Sequence, residues 1–213
     1  MFTFLKSVSP DVWYSMGAAS ISFVLGVYFT LFRKNNKKCK HPLFCNNCGS
    51  DFTKVHSRVN EILTELRLEL NCARTYVAQF HNGGDFFSGE SILKFSLTHE
   101  SCGLGIQQTI DEQQGVLLTR FVEKLKLLQE DNLRVIYTNS LNNSHFKGFM
   151  ESRNTIAFVL IPLRKNEALS PYGYVCCEWC SWQHAEKIQE KQALGIITRE
   201  TRILNTLLLG HAK

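Results

Sequence analysis

The stretch Ser152–Trp179, SRNTIAFVLIPLRKNEALSPYGYVCCEW, decides the fold. Ile156 to Leu163 is an apolar run with the length of a central strand, and Pro162 marks its end because proline cannot donate to a ladder. Arg164 to Pro171 is polar and supplies a hairpin connection; Gly173 to Cys180 is the partner strand. On that strand Cys176 and Cys180 are four residues apart, about 13 Å, and Cys177 points the other way. The three thiols therefore share neither a metal ion nor a disulfide, and they read as buried apolar groups.

Working outward, Lys54 to Asn71 carries Val55, Val59, Ile62, Leu66 and Leu70 at helical spacing. Arg74 to Phe80 alternates as a strand, His81 to Asp85 supplies turn chemistry, and Ile92 to Glu100 is a second strand. The second strand sets Leu93, Phe95, Leu97 and His99 on one face, and Lys94, Ser96, Thr98 and Glu100 on the other. His99 reads as a satisfied core histidine. A Gly-containing loop leads to a helix over Val116–Glu130 and a short strand over Arg134–Thr138. Residues 139–155 form a polar irregular stretch. The last helix runs from about Gln183 to Leu209, with Ile188, Ile197, Leu204 and Leu208 on one side. This order predicts an α+β domain. Its antiparallel sheet has the first and last helices together on one face, and the connecting helix and loops on the other.

The chain has 213 residues, 44% hydrophobic and 20% charged, which is too apolar for a disordered protein. Its net charge of +5 is local: Arg33, Lys34, Lys37, Lys38 and Lys40 account for all of it, and the rest balances. A balanced domain argues against a nucleic-acid partner. Val12 to Phe32 holds no charge over 21 residues, about 31 Å as a helix, which matches a bilayer's hydrocarbon thickness of about 30 Å. Trp13, Tyr14 and Tyr28 lie near its ends, and no small-residue cleavage site follows. The expected order is an N-terminal tail (1–11), a transmembrane helix (12–32), a basic linker (33–51) and a folded domain (52–213). Five positive charges after the helix against one before it place that domain in the cytoplasm. For a phage-encoded chain, the membrane would be the host's inner membrane.

In the linker, Cys39, His41, Cys45 and Cys48 have thiolate and imidazole ligands at a spacing compatible with zinc. Only one CxxC is present, so a flexible linker resting on anionic lipid headgroups is the other reading.

Residues 52–210 resemble the GAF family, relatives of the PAS fold, most clearly over Ser152–Trp179. There the apolar strand ends in Pro162-Leu163, and a polar hairpin and Gly173 precede the next strand. One membrane helix, a basic HPLF and a domain containing FHNGGDFFSG together resemble GAF-related membrane proteins of bacterial and phage genomes. The resemblance implies a small-molecule pocket between the sheet and its covering helices and loops. Gln79, His81, Asn82, Gly83 and Gly84, with Phe86, Phe87, Lys94, Ser96, Thr98 and Glu100, are the candidate lining. The same alternation also fits a solvated sheet face. The NKxxD-type run of nucleotide-binding GAF domains is absent.

No GxSxG, HExxH or P-loop is present. One GAF-fold enzyme family reduces free methionine sulfoxide with cysteine thiols, and Cys102 before Gly103 resembles it weakly. The expectation is thus a membrane-anchored sensory module binding an unidentified small molecule and signalling through partner contacts. A homodimer through the first and last helices is expected with it. A ligand-free interaction scaffold is the alternative, and a thiol-dependent reductase the third reading.

Overall fold

The computed structural model describes residues 49–130, 132–166 and 169–210. The expected membrane helix at 12–32 and the candidate zinc ligands Cys39, His41, Cys45 and Cys48 lie outside them. Among the described residues no helix is long and apolar enough to cross a membrane, and no group of three His, Cys, Asp or Glu could hold a metal ion.

Helix α1 (Gly49–Glu69) buries Val59, Ile62, Leu63 and Leu66 on one stripe. It stops where Asn71 takes a left-handed φ of 49°, and the Cys72 amide donates back to the Arg67 carbonyl at 3.1 Å. Strand β1 (Arg74–Asp85) then pairs antiparallel with β2 (Ser91–Cys102) and, on its other edge, with β6 (Gly173–Trp179). With β3 (Val116–Leu117), β4 (Ile136–Tyr137) and β5 (Ala157–Leu163), the sheet order is β3-β2-β1-β6-β5-β4, antiparallel throughout. Between strands lie α2 (Val122–Gln129) and α3 (His145–Ser152); after β6 come α4 (Trp182–Ala185) and α5 (Glu190–Gly210).

The α+β expectation holds, with α1 and α5 on one face. Val59, Ile62 and Leu63 of α1 and Leu204 and Leu208 of α5 pack with Val77, Leu163 and Val175. On the opposite face Phe95, Leu97, Phe158, Leu160, Tyr174 and Cys176 pack under Leu128 of α2 and Phe146 and Met150 of α3. Cys176 and Cys177 fall in different clusters, as their alternation requires. Both thiols are pushed up, Cys176 by burial and Cys177 by its Cys72 neighbour and then by burial.

Four expectations are corrected. The first hairpin is longer: Asn82 to Asp85 belong to β1, and the turn is Phe86–Glu90, where Phe86 N–H donates to the Glu90 carbonyl and Gly89 has a φ of 85°. The helix over Val116–Glu130 begins only at Val122. Val116-Leu117 pairs with β2 instead, after Gly115 turns with a φ of 64° and its N–H donates to Ser96 Oγ at 2.8 Å. The polar 139–155 stretch contains α3, capped by Ser144, whose hydroxyl accepts from Lys147 N–H at 3.2 Å. The last helix is split, with α4 ending at Ala185 before α5 begins at Glu190.

Candidate polar core beneath the sheet

The register brings a set of charged side chains to the middle of the α2–α3 side. Arg74, Tyr76 and Ala78 of β1 face the same way as Tyr174, Cys176 and Glu178 of β6, since Arg74 pairs with Glu178 and Tyr76 with Cys176. Strand β2 joins them through a bulge. Ala78 pairs with Leu97 and Val77 with His99, leaving Thr98 as the extra residue. The bulge inverts the expected alternation. His99 turns to α1, where its Nε2 lies 2.7 Å from His56 Nδ1, and Glu100 turns into the interior. Burial and the facing His56 push the His99 imidazole down to about 4, so it is held neutral.

Glu100 is saturated. It accepts from Thr109 N–H at 2.8 Å, Thr109 Oγ1 at 2.9 Å and Ile110 N–H at 2.9 Å, and lies 3.2 Å from Arg74 Nε. Arg74 also donates from Nη1 to Glu178 at 2.7 Å and from Nη2 to the Gln107 carbonyl at 2.8 Å. Glu178 accepts further from Thr155 Oγ1 at 3.0 Å and lies 3.3 Å from Arg153 Nη2. Burial alone would raise the Glu178 carboxyl, but Arg153 and Arg74 outweigh it and hold the group below the usual carboxylate range.

Two cations complete the core. Lys124, from α2, has no exposed surface; its Nζ lies 4.7 Å from the Phe95 and Phe121 ring centroids. Tyr174, Phe146 and Phe149 follow at 5.0, 5.2 and 5.5 Å. Its hydrogen bond goes to Tyr174 Oη at 3.0 Å. Burial pushes the Lys124 amine down to about 7, with Cys176 and Glu178 opposing and Arg153 adding to the shift. Arg153, just past α3, stacks over Phe149 at 4.9 Å and Tyr76 at 5.4 Å. None of its guanidinium nitrogens makes a hydrogen bond of good geometry, and neither does the Tyr76 hydroxyl. Described clefts lie elsewhere, one around Trp179 and His184 and another beside α2 from Glu123 to Asn142.

Of the residues expected from sequence, only Glu100 enters this core. Gln79, His81, Lys94 and Ser96 are brought together, with Gln79 opposite Ser96 and His81 opposite Lys94, but on the outer part of the hairpin. There His81 Nε2 lies 2.9 Å from Ser96 Oγ. At Gly83 it is the Lys94 side chain that lies close: a Cβ there would meet Lys94 Cε at 2.6 Å. Asn82 and Gly84 are exposed. Thr98 sits at the bulge, 3.0 Å from His99 Nδ1. Phe86 and Phe87 do not close over the sheet but stand at the hairpin tip, Phe87 fully exposed. Cys102 has its thiol pushed up by burial and then by Glu100, against Arg74, which disfavours the thiolate a reductase needs.

Glu178 carries a sequence signal, a charge inside an otherwise apolar strand, and Arg74 a weaker one at the first position of its strand. Lys124 had none, because VEKLKLLQ looks like an ordinary amphipathic helix.

No protein-family model matches the chain, and no curated protein does. Solved structures match its fold. The GAF domain region of a putative membrane protein from Geobacter sulfurreducens aligns at 11% identity over 75% of this chain and 95% of that one, with a TM-score of 0.52. The red/green cyanobacteriochrome NpR6012g4, in its red light-absorbing state, aligns at 17% identity over 74% and 93%, also at 0.52. The domain has the GAF fold.

Proposed function

We propose that the chain is a membrane-anchored sensory module. It binds a small molecule in the interior between the sheet and α2–α3, and signals through α1 and α5 to a second copy or another partner at the cytoplasmic face. One observation carries this reading. Fully buried Lys124 and nearly buried Arg153 converge with the Tyr76 hydroxyl on one interior, and most of their donors are unused. Buried donors are normally paired, and convergent polar groups among aromatic side chains are the usual form of a ligand site. The cyanobacteriochrome of the same fold is a light-absorbing protein by its description, which agrees with a sensory role.

The test is native mass spectrometry of the full chain released from detergent, purified without added metal or chelator. A reproducible extra mass, lost in Lys124→Met, supports the reading. A bare mass in both proteins, present only as a dimer, supports the ligand-free scaffold instead. That second reading has its own observation: Phe87 and Leu104 are fully exposed, and the Gln79–His81–Lys94–Ser96 face is open to a protein partner.

A further inference from the structure

We infer that the ligand of this interior is a compact anion, held by Lys124 and Arg153 with the Tyr76 hydroxyl; this rests on the interior being a ligand site. Five ionisable side chains meet beneath the sheet: Arg74, Arg153, Lys124, Glu100 and Glu178. Below about pH 7, where Lys124 keeps its proton, three cations face two carboxylates, and the carboxylates are already committed. Glu100 is taken by Thr109, the Ile110 amide and Arg74, and Glu178 by Arg74 and Thr155, with Arg153 alongside. What remains is donor capacity that well-formed hydrogen bonds leave largely unused. Lys124 has three N–H groups and a hydrogen bond to Tyr174 Oη, while the Arg153 nitrogens and the Tyr76 hydroxyl have none of good geometry.

The aromatic rings explain how such an excess is tolerated. Five ring faces around Lys124, and two around Arg153, stabilise positive charge without offering a conventional lone-pair acceptor. Phe149 is shared, lying 5.5 Å from Lys124 Nζ and 4.9 Å from Arg153 Cζ, so both cations lie against one ring. A guest with negative charge and several lone pairs satisfies all of these groups together. An uncharged or cationic guest leaves the imbalance in place.

Size follows from packing. The described clefts are not lined by these residues, and Leu128, Phe146 and Met150 are fully packed above them. A ligand of many atoms would have to displace α2 or α3. An ion of a few atoms needs only a shift of two long, flexible side chains. The matching class is a small carboxylate or inorganic monoanion.

The experiment is thermal unfolding of the full chain in neutral detergent, after exhaustive dialysis. Formate, nitrate and chloride are titrated separately at constant ionic strength against gluconate, a bulkier anion. Saturable stabilisation by at least one of them is expected. Lys124→Met and Arg153→Met should raise its half-saturating concentration at least tenfold. Tyr76→Phe, which removes a single hydroxyl, keeps the test open should either variant fail to fold; it should weaken binding severalfold. An equal saturable response in all three variants places the anion elsewhere and overturns the inference. No response to any anion, with an uncharged or cationic molecule co-purifying, overturns the anion class but leaves the ligand site standing. No response and no co-purifying mass overturns both.

Discussion

Replacing Glu178 with glutamine tests the polar core most directly. The side chain keeps its shape and loses its charge, at a carboxylate with no exposed surface that stands 2.7 Å from Arg74 Nη1 and 3.3 Å from Arg153 Nη2. In the variant Arg74 retains Glu100, whereas Arg153 keeps no carboxylate among its described partners. Removing one member of a buried ion pair costs about 3–5 kcal/mol, because the remaining charge is buried without compensation. Domains have about 5–15 kcal/mol in total, so the loss is a large share of it. At about 2–4 °C per kcal/mol for a chain of this size, the domain's midpoint should fall by roughly 6–20 °C. Near-UV circular dichroism from Trp179, itself buried, reports that transition. The pH dependence gives a second check. The folded Glu178 carboxyl is held below its unfolded value, so its contribution is complete above about pH 4.3 and is lost as pH falls through the folded value. The gap between wild type and variant should therefore close in acid. A Glu178→Gln protein with an unchanged midpoint at pH 7, or with a gap that widens as the pH falls below about 4.3, would refute the reasoning.

Three further outcomes are expected. Lys124→Met should be more stable than wild type near neutral pH. It should also lack the wild type's rise in stability from about pH 7 toward 10, where the unfolded chain binds a proton that the folded Lys124 does not; urea titrations at pH 6.5 and 9.5 measure both. Gly173→Ala should destabilise by about 1–3 kcal/mol in the same titration, since its Cβ would lie 2.3 Å from the Ala78 carbonyl oxygen and the β1–β6 pairing must open. Phe87→Ser should stay within about 0.5 kcal/mol of wild type, and any loss of self-association in analytical ultracentrifugation would then report a contact surface rather than folding.

The sheet was legible because its signals are local. An apolar run, a polar hairpin and Gly173 identify β5 and β6, and the steric reason for that glycine is its approach to the Ala78 carbonyl. Helix α3 was hidden by Asn, Ser and Gly148 around its apolar Phe146 and Met150, which sit one turn apart. The polar core was not legible, since it depends on register: no local pattern tells that Arg74 faces Glu178, or that the end of α3 delivers Arg153 beneath them. Gln79, His81, Lys94 and Ser96 keep regular alternation and lie on the sheet face opposite Phe95 and Leu97, whereas the alternation slips at the bulge. One extra residue at Thr98 returned Glu100 to the core and sent His99 to the helices.

That extra residue also lets one short run of β2 make contacts on both sides of the sheet. His99 and Ser101 touch His56, Thr64 and Arg67 of α1, while Glu100, between them, is tied to Arg74 and to the amides of Thr109 and Ile110. Whatever displaces Glu100 in the interior pulls on the same two peptide planes that hold the helix on the opposite side. Among the described contacts, the interior and α1 are thus joined through the sheet itself by neighbouring residues of one strand.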